Sequence, residues 1–381
     1  MKIVLSGVET NNKGAELMLY AILQEIEQKW PDADVYLPYF AVRQGLDYIK
    51  SSLKLHYCPA GKMQSYFRYV IAAFRRLHIT PLSFYETFNV GGADYFLDAS
   101  GFCFSDQLPM NDLVMRIWER TLSKQSQQGS KVIFLPQAYG PAEKEGTKKI
   151  LRIVSMYSDL LMVREHTSRE YLLKSEVVDM NKVRLFPDFT INVHGVIPKR
   201  YEHLSQHVCI IPNNRMLEKG VLSFYDYLET IKEIVNCVGR NKRKCFLLCH
   251  EEKSDTEIVK KIKDALSDSI ETVTGLNALE VKGVISQSYL CISSRFHGVI
   301  SSLNSCVPCL STSWSHKYSE LYKDYGLEDC VVDFARRNEC ISRIEEFLTP
   351  EKNESVKRKI SLAIPKLEET TKQMWKSVWE L

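Results

Sequence analysis

Residues 291–298 combine the side chains best suited to acid–base and anion chemistry in this chain. They read Cys-Ile-Ser-Ser-Arg-Phe-His-Gly, so an apolar strand gives way to two serines and then to Arg295 and His297. A guanidinium is a planar donor that matches carboxylate and phosphate groups. An imidazole can take up or release a proton near neutral pH. A helix predicted to open at Gly298 would add backbone N–H groups that favour an anion, so the segment predicts an anion-binding and proton-transfer site.

Four further basic residues follow apolar strands or open a late helix, and they could converge on the same site. They are Arg164, Arg215, His250 and Lys317. Each also has a plain structural interpretation, as a solvated loop charge or a surface ion pair, and the sequence leaves both open.

Small or amide-bearing residues follow three strands of the first half. Asn12 lies in the loop 7–16, Ser100 follows the strand predicted over 95–99, and Gln137 follows a third apolar run. Hydroxyl and amide groups there could hydrogen-bond sugar hydroxyls, although turns without a ligand use the same residues. The loop 7–16 lacks the Gly-Lys-Ser/Thr ending of a phosphate-binding loop and the glycine spacing of a dinucleotide site.

The elements that must position these residues alternate short apolar runs with longer amphipathic ones. This alternation is typical of parallel sheets with helical crossovers. Periodicity breaks at 187–206, so we predict two doubly wound, Rossmann-like α/β domains over 1–190 and 205–350 that face each other across a cleft. A helix over 351–381 should follow, kinked at Pro365. Such domains bind ligands at the carboxyl ends of their strands.

Composition narrows the class of protein. The chain has 381 residues, of which 45% are apolar and 25% charged, which is ordinary for a globular protein. Its 50 Lys+Arg against 47 Asp+Glu give a net charge of +3, too weak to predict nucleic-acid binding. No signal peptide or membrane span is evident, and eleven irregularly spaced cysteines suggest reduced thiols, so we expect a cytoplasmic protein. No set of metal ligands is apparent.

The segment 62–78 has two interpretations. Apolar residues recur at helical spacing among basic ones, which are Lys62, Arg68, Arg75 and Arg76. It is either a crossover helix that packs on its sheet or a basic amphipathic helix that rests on an anionic membrane surface.

Taken in order, these motifs resemble those of the polysaccharide pyruvyl transferase family. The resemblance spans nearly the whole chain, and its most specific element is Ser-Arg-Phe-His-Gly at 294–298. The other matching elements are Asn-x-Gly-Ala-Glu at 12–16, Ser100-Gly101, Pro-Gln-Ala-Tyr-Gly-Pro at 136–141, Arg164-Glu165 with Ser168, and Pro187-Asp188.

The resemblance implies a glycosyltransferase-B-like architecture and transfer of pyruvate from phosphoenolpyruvate to a sugar, giving a cyclic ketal and free phosphate. Phosphoenolpyruvate would be a co-substrate, and we expect neither cofactor nor metal. We expect the acceptor to be a surface saccharide, still lipid-linked at the inner membrane face. On this basis the catalytic residues are His297 and Arg295. We expect the second domain to be the donor side. The predicted donor-binding residues are Arg164, Lys317, Arg215 and Gly298. The predicted acceptor-binding residues are Asn12, Ser100, Gln137 and His250.

Two other functions fit the same pattern of elements. A nucleotide-sugar-dependent glycosyltransferase of this architecture would need an acidic residue for the donor ribose, and Glu251 and Glu252 after His250 are the candidates. A non-catalytic saccharide-binding module is the third reading. The placement of Arg295 beside His297 at a strand end counts against it.

Overall fold

The computed structural model describes residues 1–38, 52–58, 90–218, 220–266, 270–312 and 317–381. Within these residues the chain divides into two compact units, one of residues 1–190 with 370–381 and the other of residues 191–369. Each unit is built on a parallel sheet with helical connections. The predicted class, two doubly wound α/β domains, is confirmed.

Strands of the described part of the first unit form a seven-stranded parallel sheet in the order β3-β2-β1-β4-β5-β6-β7. Because β1 lies beside β4, successive connections diverge at that point, which is where doubly wound sheets bind ligands. The strands are β1 (Lys2–Ser6), β2 (Asp34–Pro38), β3 (Lys54–Cys58), β4 (Tyr95–Asp98), β5 (Lys131–Gln137), β6 (Leu160–Val163) and β7 (Val183–Leu185).

Helices of the first unit cover this sheet with apolar faces. Trp118 on one helix packs with Phe104 and Phe134 at ring-centroid distances of 5.4 and 6.0 Å. At the other end of the chain, Trp375 stacks on Trp379, and both belong to the same unit. The helices are α1 (Lys13–Lys29), α2 (Asp112–Gln127), α3 (Glu145–Tyr157) and α4 (His166–Ser175).

The second unit repeats the design with a six-stranded parallel sheet among its described residues, in the order β10-β9-β8-β11-β12-β13. Here β8 and β11 are the neighbours at which the connections diverge. The strands are β8 (Val208–Ile211), β9 (Cys245–Leu248), β10 (Glu271–Val273), β11 (Leu290–Ser293), β12 (Cys309–Thr312) and β13 (Val331–Val332).

Two helices of the second unit, over 215–218 and 337–348, were not predicted from the sequence. The helix expected over 351–381 begins at Pro350 and continues through Pro365 to Trp379, and its residues from Thr370 onward belong to the first unit. The helices are α5 (Arg215–Glu218), α6 (Phe224–Arg240), α7 (Glu252–Ala265), α8 (Ala278–Ser286), α9 (Phe296–Asn304), α10 (Lys317–Lys323), α11 (Arg337–Leu348) and α12 (Pro350–Trp379).

The segment 62–78, with its two interpretations, lies outside the described residues. Among the helices that are described, none combines the length and the apolar character needed to span a bilayer.

Candidate functional site

The loops after β8 and β11 meet at the carboxyl edge of the second sheet. Asn213, after β8, donates from Nδ2 to the carbonyl oxygen of Ser294, after β11, at 2.6 Å. The backbone N–H of Ser294 in turn donates to the carbonyl oxygen of Ile211 at 3.0 Å. These two bonds join the loops on either side of the point where the connections diverge.

Two buried tyrosines fix the same turn. Tyr318 on α10 donates its hydroxyl to the Ser294 carbonyl at 3.0 Å. Tyr227 on α6 accepts from the backbone N–H of Asn213 at 3.2 Å, and its hydroxyl lies 3.4 Å from Ser294 Oγ. Burial raises the pKa of Tyr227 to about 12, so this hydroxyl stays protonated at neutral pH. The start of α9 is therefore held by neutral hydrogen bonds.

His297 and Lys317 each contact the aromatic ring of Phe296. The imidazole of His297 is edge-on to this ring, with centroids 5.5 Å apart. Lys317 Nζ lies 4.9 Å from the same centroid, a cation–π distance. His297 is half-buried and stands at the second position of α9. Two residues predicted from sequence for the site, one able to transfer protons and one a cation, thus contact the same ring.

Arg295 precedes α9 and its guanidinium is bound by side chains of the β9–α7 segment. Nε donates to Asp255 Oδ2 at 2.8 Å, and Nη2 donates to Ser254 Oγ at 2.6 Å and to Asp255 Oδ1. Nη1 donates to the Glu251 carboxylate. Burial alone would lower the pKa of Arg295, but the adjacent carboxylates of Asp255 and Glu251 raise it above its ordinary value. Its charge is thus compensated within the protein, and its predicted role as a catalytic residue stays a prediction.

The remaining site residues of this unit differ in their surroundings. Arg215 opens α5 with an exposed side chain and forms an ion pair with Glu218 at 2.7 Å, the surface pairing that the sequence left open. His250 follows β9 and is buried. Gly298 packs against β11 and β8, since a Cβ built on it would lie 2.6 Å from Ser293 Oγ and 2.9 Å from Ile211 Cδ1.

Gly298→Ala should lower the free energy of unfolding by about 1–3 kcal/mol, because an added methyl group must displace close-packed neighbours. Gly239→Ala is the matched control, since Gly239 lies on α6 and a Cβ there meets nothing within 4 Å. That variant should be unchanged or slightly stabilised, as expected for alanine in a helix. Urea unfolding of both variants measures the difference, and equal stabilities would contradict the tight packing at Gly298.

In the first unit, Ser100 and Gln137 share one carboxylate. Ser100 Oγ donates to Asp98 Oδ2 at 2.8 Å, and Gln137 Nε2 donates to Asp98 Oδ1 at 3.2 Å. Burial raises the pKa of Asp98 against the lowering effect of these bonds. Asn12 caps α1 instead, because its Oδ1 accepts from Gly14 N at 2.9 Å. Two of the predicted acceptor residues are therefore brought together, and Asn12 has a structural role at the helix start.

Arg164 follows β6 and is buried in the first unit, with Nε 3.3 Å from the Glu165 carboxylate. Glu165 accepts from the Ser168 hydroxyl, and Ser168 Oγ accepts from Tyr139 N at 2.8 Å. The family-like residues of the Arg-Glu-x-x-Ser motif thus link the ends of β5 and β6.

Sequence reasoning missed Asp255 and Tyr318 as members of the site. Asp255 carried a readable signal, because it stands on one helical stripe with Ile258, Val259 and Ile262, all of them buried. An acidic residue within an apolar stripe indicates a buried charge that needs a partner. In the described ranges, no group of three or more His, Cys, Asp or Glu side chains is placed to hold a metal ion.

Several solved structures have a similar fold at low sequence identity. HepE from Anabaena, in complex with UDP and glucose, gives a TM-score of 0.61 at 8% identity, with 100% of both chains covered. UDP-GlcNAc 2-epimerase from Neisseria meningitidis, bound to UDP-GlcNAc, gives 0.61 at 13% identity with the same coverage. Trehalose-6-phosphate synthase OtsA gives a TM-score of 0.60 at 8% identity, and the match covers 100% of this chain and 99% of the synthase chain. These likenesses concern the fold alone, and they confirm the predicted glycosyltransferase-B-like architecture.

Sequence comparison supplies the family. None of the curated proteins matches the chain significantly. The family model for polysaccharide pyruvyl transferase matches residues 12–316, a range that includes the loop at Asn12 and the Ser-Arg-Phe-His-Gly segment. Since that match covers well over half of the sequence, the chain belongs to the polysaccharide pyruvyl transferase family, a family of enzymes.

Proposed function

We propose that the enzyme transfers the pyruvyl group of phosphoenolpyruvate onto two hydroxyls of one sugar, forming a cyclic ketal and releasing phosphate. The family implies a pyruvate donor and a saccharide acceptor. The observation that carries the proposal is that His297, a titratable group, and Lys317, a cation, both contact the ring of Phe296.

The negative charge of phosphoenolpyruvate calls for a binding site that contains cations. A phosphate ester carries about −1.5 to −2 charges at neutral pH, and the carboxylate of phosphoenolpyruvate adds a further one. We propose Lys317 as a donor-binding cation in the second unit and Arg164 as one in the first. Arg215, exposed and paired with Glu218, is the weakest of the donor candidates.

His297 can move the protons that the reaction requires. As the acid it gives a proton to the methylene carbon, which leaves an oxocarbenium-like centre at the neighbouring carbon. The first sugar hydroxyl then bonds to that centre and returns its proton to His297. The second hydroxyl replaces the phosphate, which leaves with the electron pair of the broken C–O bond while a base takes the hydroxyl proton.

The nucleotide-sugar alternative depends on an acidic residue after β9. Glu251 is bonded to Arg295, and Glu252 Oε1 accepts from the backbone N–H of Gly275 at 2.7 Å. Both candidate carboxylates are therefore engaged within the protein, which favours pyruvyl transfer.

The test is incubation of the protein with phosphoenolpyruvate and a panel of sugar acceptors. We expect phosphate release that depends on the acceptor, together with a ketal methyl signal in the proton NMR spectrum. Consumption of a nucleotide sugar with phosphoenolpyruvate left intact would overturn the proposal.

We further propose that the acceptor belongs to a surface polysaccharide and is still lipid-linked at the cytoplasmic face of the membrane. A membrane-bound substrate calls for some attachment of the enzyme to the bilayer. The sequence of 62–78, with its apolar stripe and basic residues, is the segment that we propose for this contact.

Changing Arg68, Arg75 and Arg76 together to Gln should weaken binding to anionic vesicles. Each basic residue near such a surface contributes about 1 kcal/mol, so the loss should approach about 150-fold at low salt and shrink at high salt. Vesicle sedimentation at both salt concentrations measures it, with activity on a soluble acceptor as the control. Equal sedimentation of the wild type and the triple variant would favour the crossover-helix interpretation.

A further inference from the structure

The Asp255 carboxylate links three segments at the carboxyl edge of the second sheet. It is fully buried and lies in the first turns of α7, after β9. It accepts from Arg295, which follows β11, at both carboxylate oxygens. It also accepts from the backbone N–H of Asn214, which follows β8, at 3.2 Å. One side chain thus joins the segments that follow β8, β9 and β11, and His297 lies on the helix that opens after β11.

The charge of this cluster does not suit an anionic donor. The single positive charge of Arg295 faces the negative charges of Asp255 and Glu251, while Ser254 takes a further guanidinium N–H. One guanidinium faces two carboxylates, so the formal charge of the cluster is negative, which would repel a phosphate or a carboxylate. The geometry therefore favours an internal role for Arg295.

That role concerns the start of α9. Arg295 occupies the N-cap position of the helix but makes no side-chain capping bond. Its backbone N–H donates to Ser293 Oγ at 3.1 Å, and its side chain is anchored on α7. Since His297 lies two residues further on, the anchor sets the direction of the first turn that carries the imidazole.

We propose that Asp255 is a positioning residue, which acts through Arg295 to hold His297 in place for proton transfer. This inference rests on the proposed function, because it assigns His297 the proton-transfer step. Both carboxylate oxygens of Asp255 accept hydrogen bonds from Arg295. Asparagine would keep the shape of the side chain, but its NH₂ group would replace one acceptor oxygen and face the N–H groups of the guanidinium. Asp255→Asn should therefore release the anchor.

The experiment compares Asp255→Asn with Asp264→Asn, whose carboxylate is exposed on the same helix. We expect Asp255→Asn to lower kcat by about 100-fold, the cost of displacing a catalytic group by about an ångström. The KM for phosphoenolpyruvate should change little, and Asp264→Asn should behave as wild type. A raised KM with an unchanged kcat would overturn the proposal, because it would mean that the cluster contacts the donor.

A double-variant cycle separates positioning from independent effects. If Asp255 acts through Arg295, then Asp255→Asn combined with Arg295→Gln should lower kcat no further than the worse single variant. Fully multiplicative losses would overturn the proposal. Thermal unfolding of each variant is recorded alongside. If Asp255→Asn does not fold, Glu251→Gln removes the charge of the half-buried second carboxylate and releases Arg295 more mildly.

A measurement that does not depend on turnover separates the test of the positioning role from the test of the proposed function. The imidazole NMR signal of His297, identified by its absence in His297→Asn, should shift in Asp255→Asn or Glu251→Gln and stay fixed in Asp264→Asn. An unmoved signal would overturn the positioning role, whatever the reaction is. Conversely, if the variants shift this signal as expected but the wild type releases no phosphate from phosphoenolpyruvate, the proposed function alone is contradicted.

Discussion

His297→Asn should leave a folded protein that turns over about 10²–10⁴-fold more slowly than the wild type, the range found for loss of a general acid–base group. Asparagine keeps a polar side chain of similar reach but cannot exchange a proton near neutral pH. The imidazole is half-buried at the start of α9 and makes edge-on contact with Phe296, so a smaller side chain should be tolerated there. Acceptor-dependent phosphate release from phosphoenolpyruvate is the rate to measure.

His203→Asn is the matched control for this prediction. His203 belongs to the same unit, is exposed, and hydrogen-bonds Glu271 at 2.9 Å, away from the α9 segment in sequence. Its loss should leave kcat unchanged. Turnover retained by a folded His297→Asn variant would remove His297 from the mechanism and move the search for the acid to other side chains of the unit.

Much of the fold could be predicted because its strands are buried on both faces. A strand covered by helices on each side reads as a continuous apolar run, as in Leu160–Val163 and Cys245–Leu248, and these runs stand out against amphipathic helices. Helix α11 escaped prediction although Cys340, Ile344 and Phe347 recur at helical spacing, because charged residues dominate the segment. The helical repeat of apolar residues is present in this segment, but charged residues interrupt it.

The residues of the site could be predicted from their types, but the side chains to which they are bonded could not. Arg295, His297 and Lys317 stood out because each adjoins an apolar strand or opens a helix. Asp255 lies 40 residues before Arg295, and only the order of β9, β8 and β11 in the sheet brings it there. The sequence shows that a guanidinium is positively charged, but whether that charge is available to a ligand depends on such distant carboxylates.

We expect Lys317 to be the cation of the second unit whose loss weakens donor binding most, because of its position beside the proposed proton-transfer residue. Its Nζ lies 4.9 Å from the Phe296 centroid, on the ring that also contacts His297. Lys317→Met keeps the aliphatic stem and removes the charge. Losing one hydrogen bond to a charged group costs about 1.5–3 kcal/mol, which is about 10- to 150-fold in the Kd of phosphoenolpyruvate.

Calorimetric titration with phosphoenolpyruvate tests this directly. Lys323→Met is the control, because Lys323 lies on the same helix with an exposed side chain bonded to Glu320, and it should bind the donor as the wild type does. Lys317→Arg should retain most of the affinity, since it preserves the positive charge. If Lys317→Met binds phosphoenolpyruvate as tightly as Lys323→Met does, the donor anion is held elsewhere. Arg164 of the first unit, a buried cation that follows β6, would then be the residue to change next.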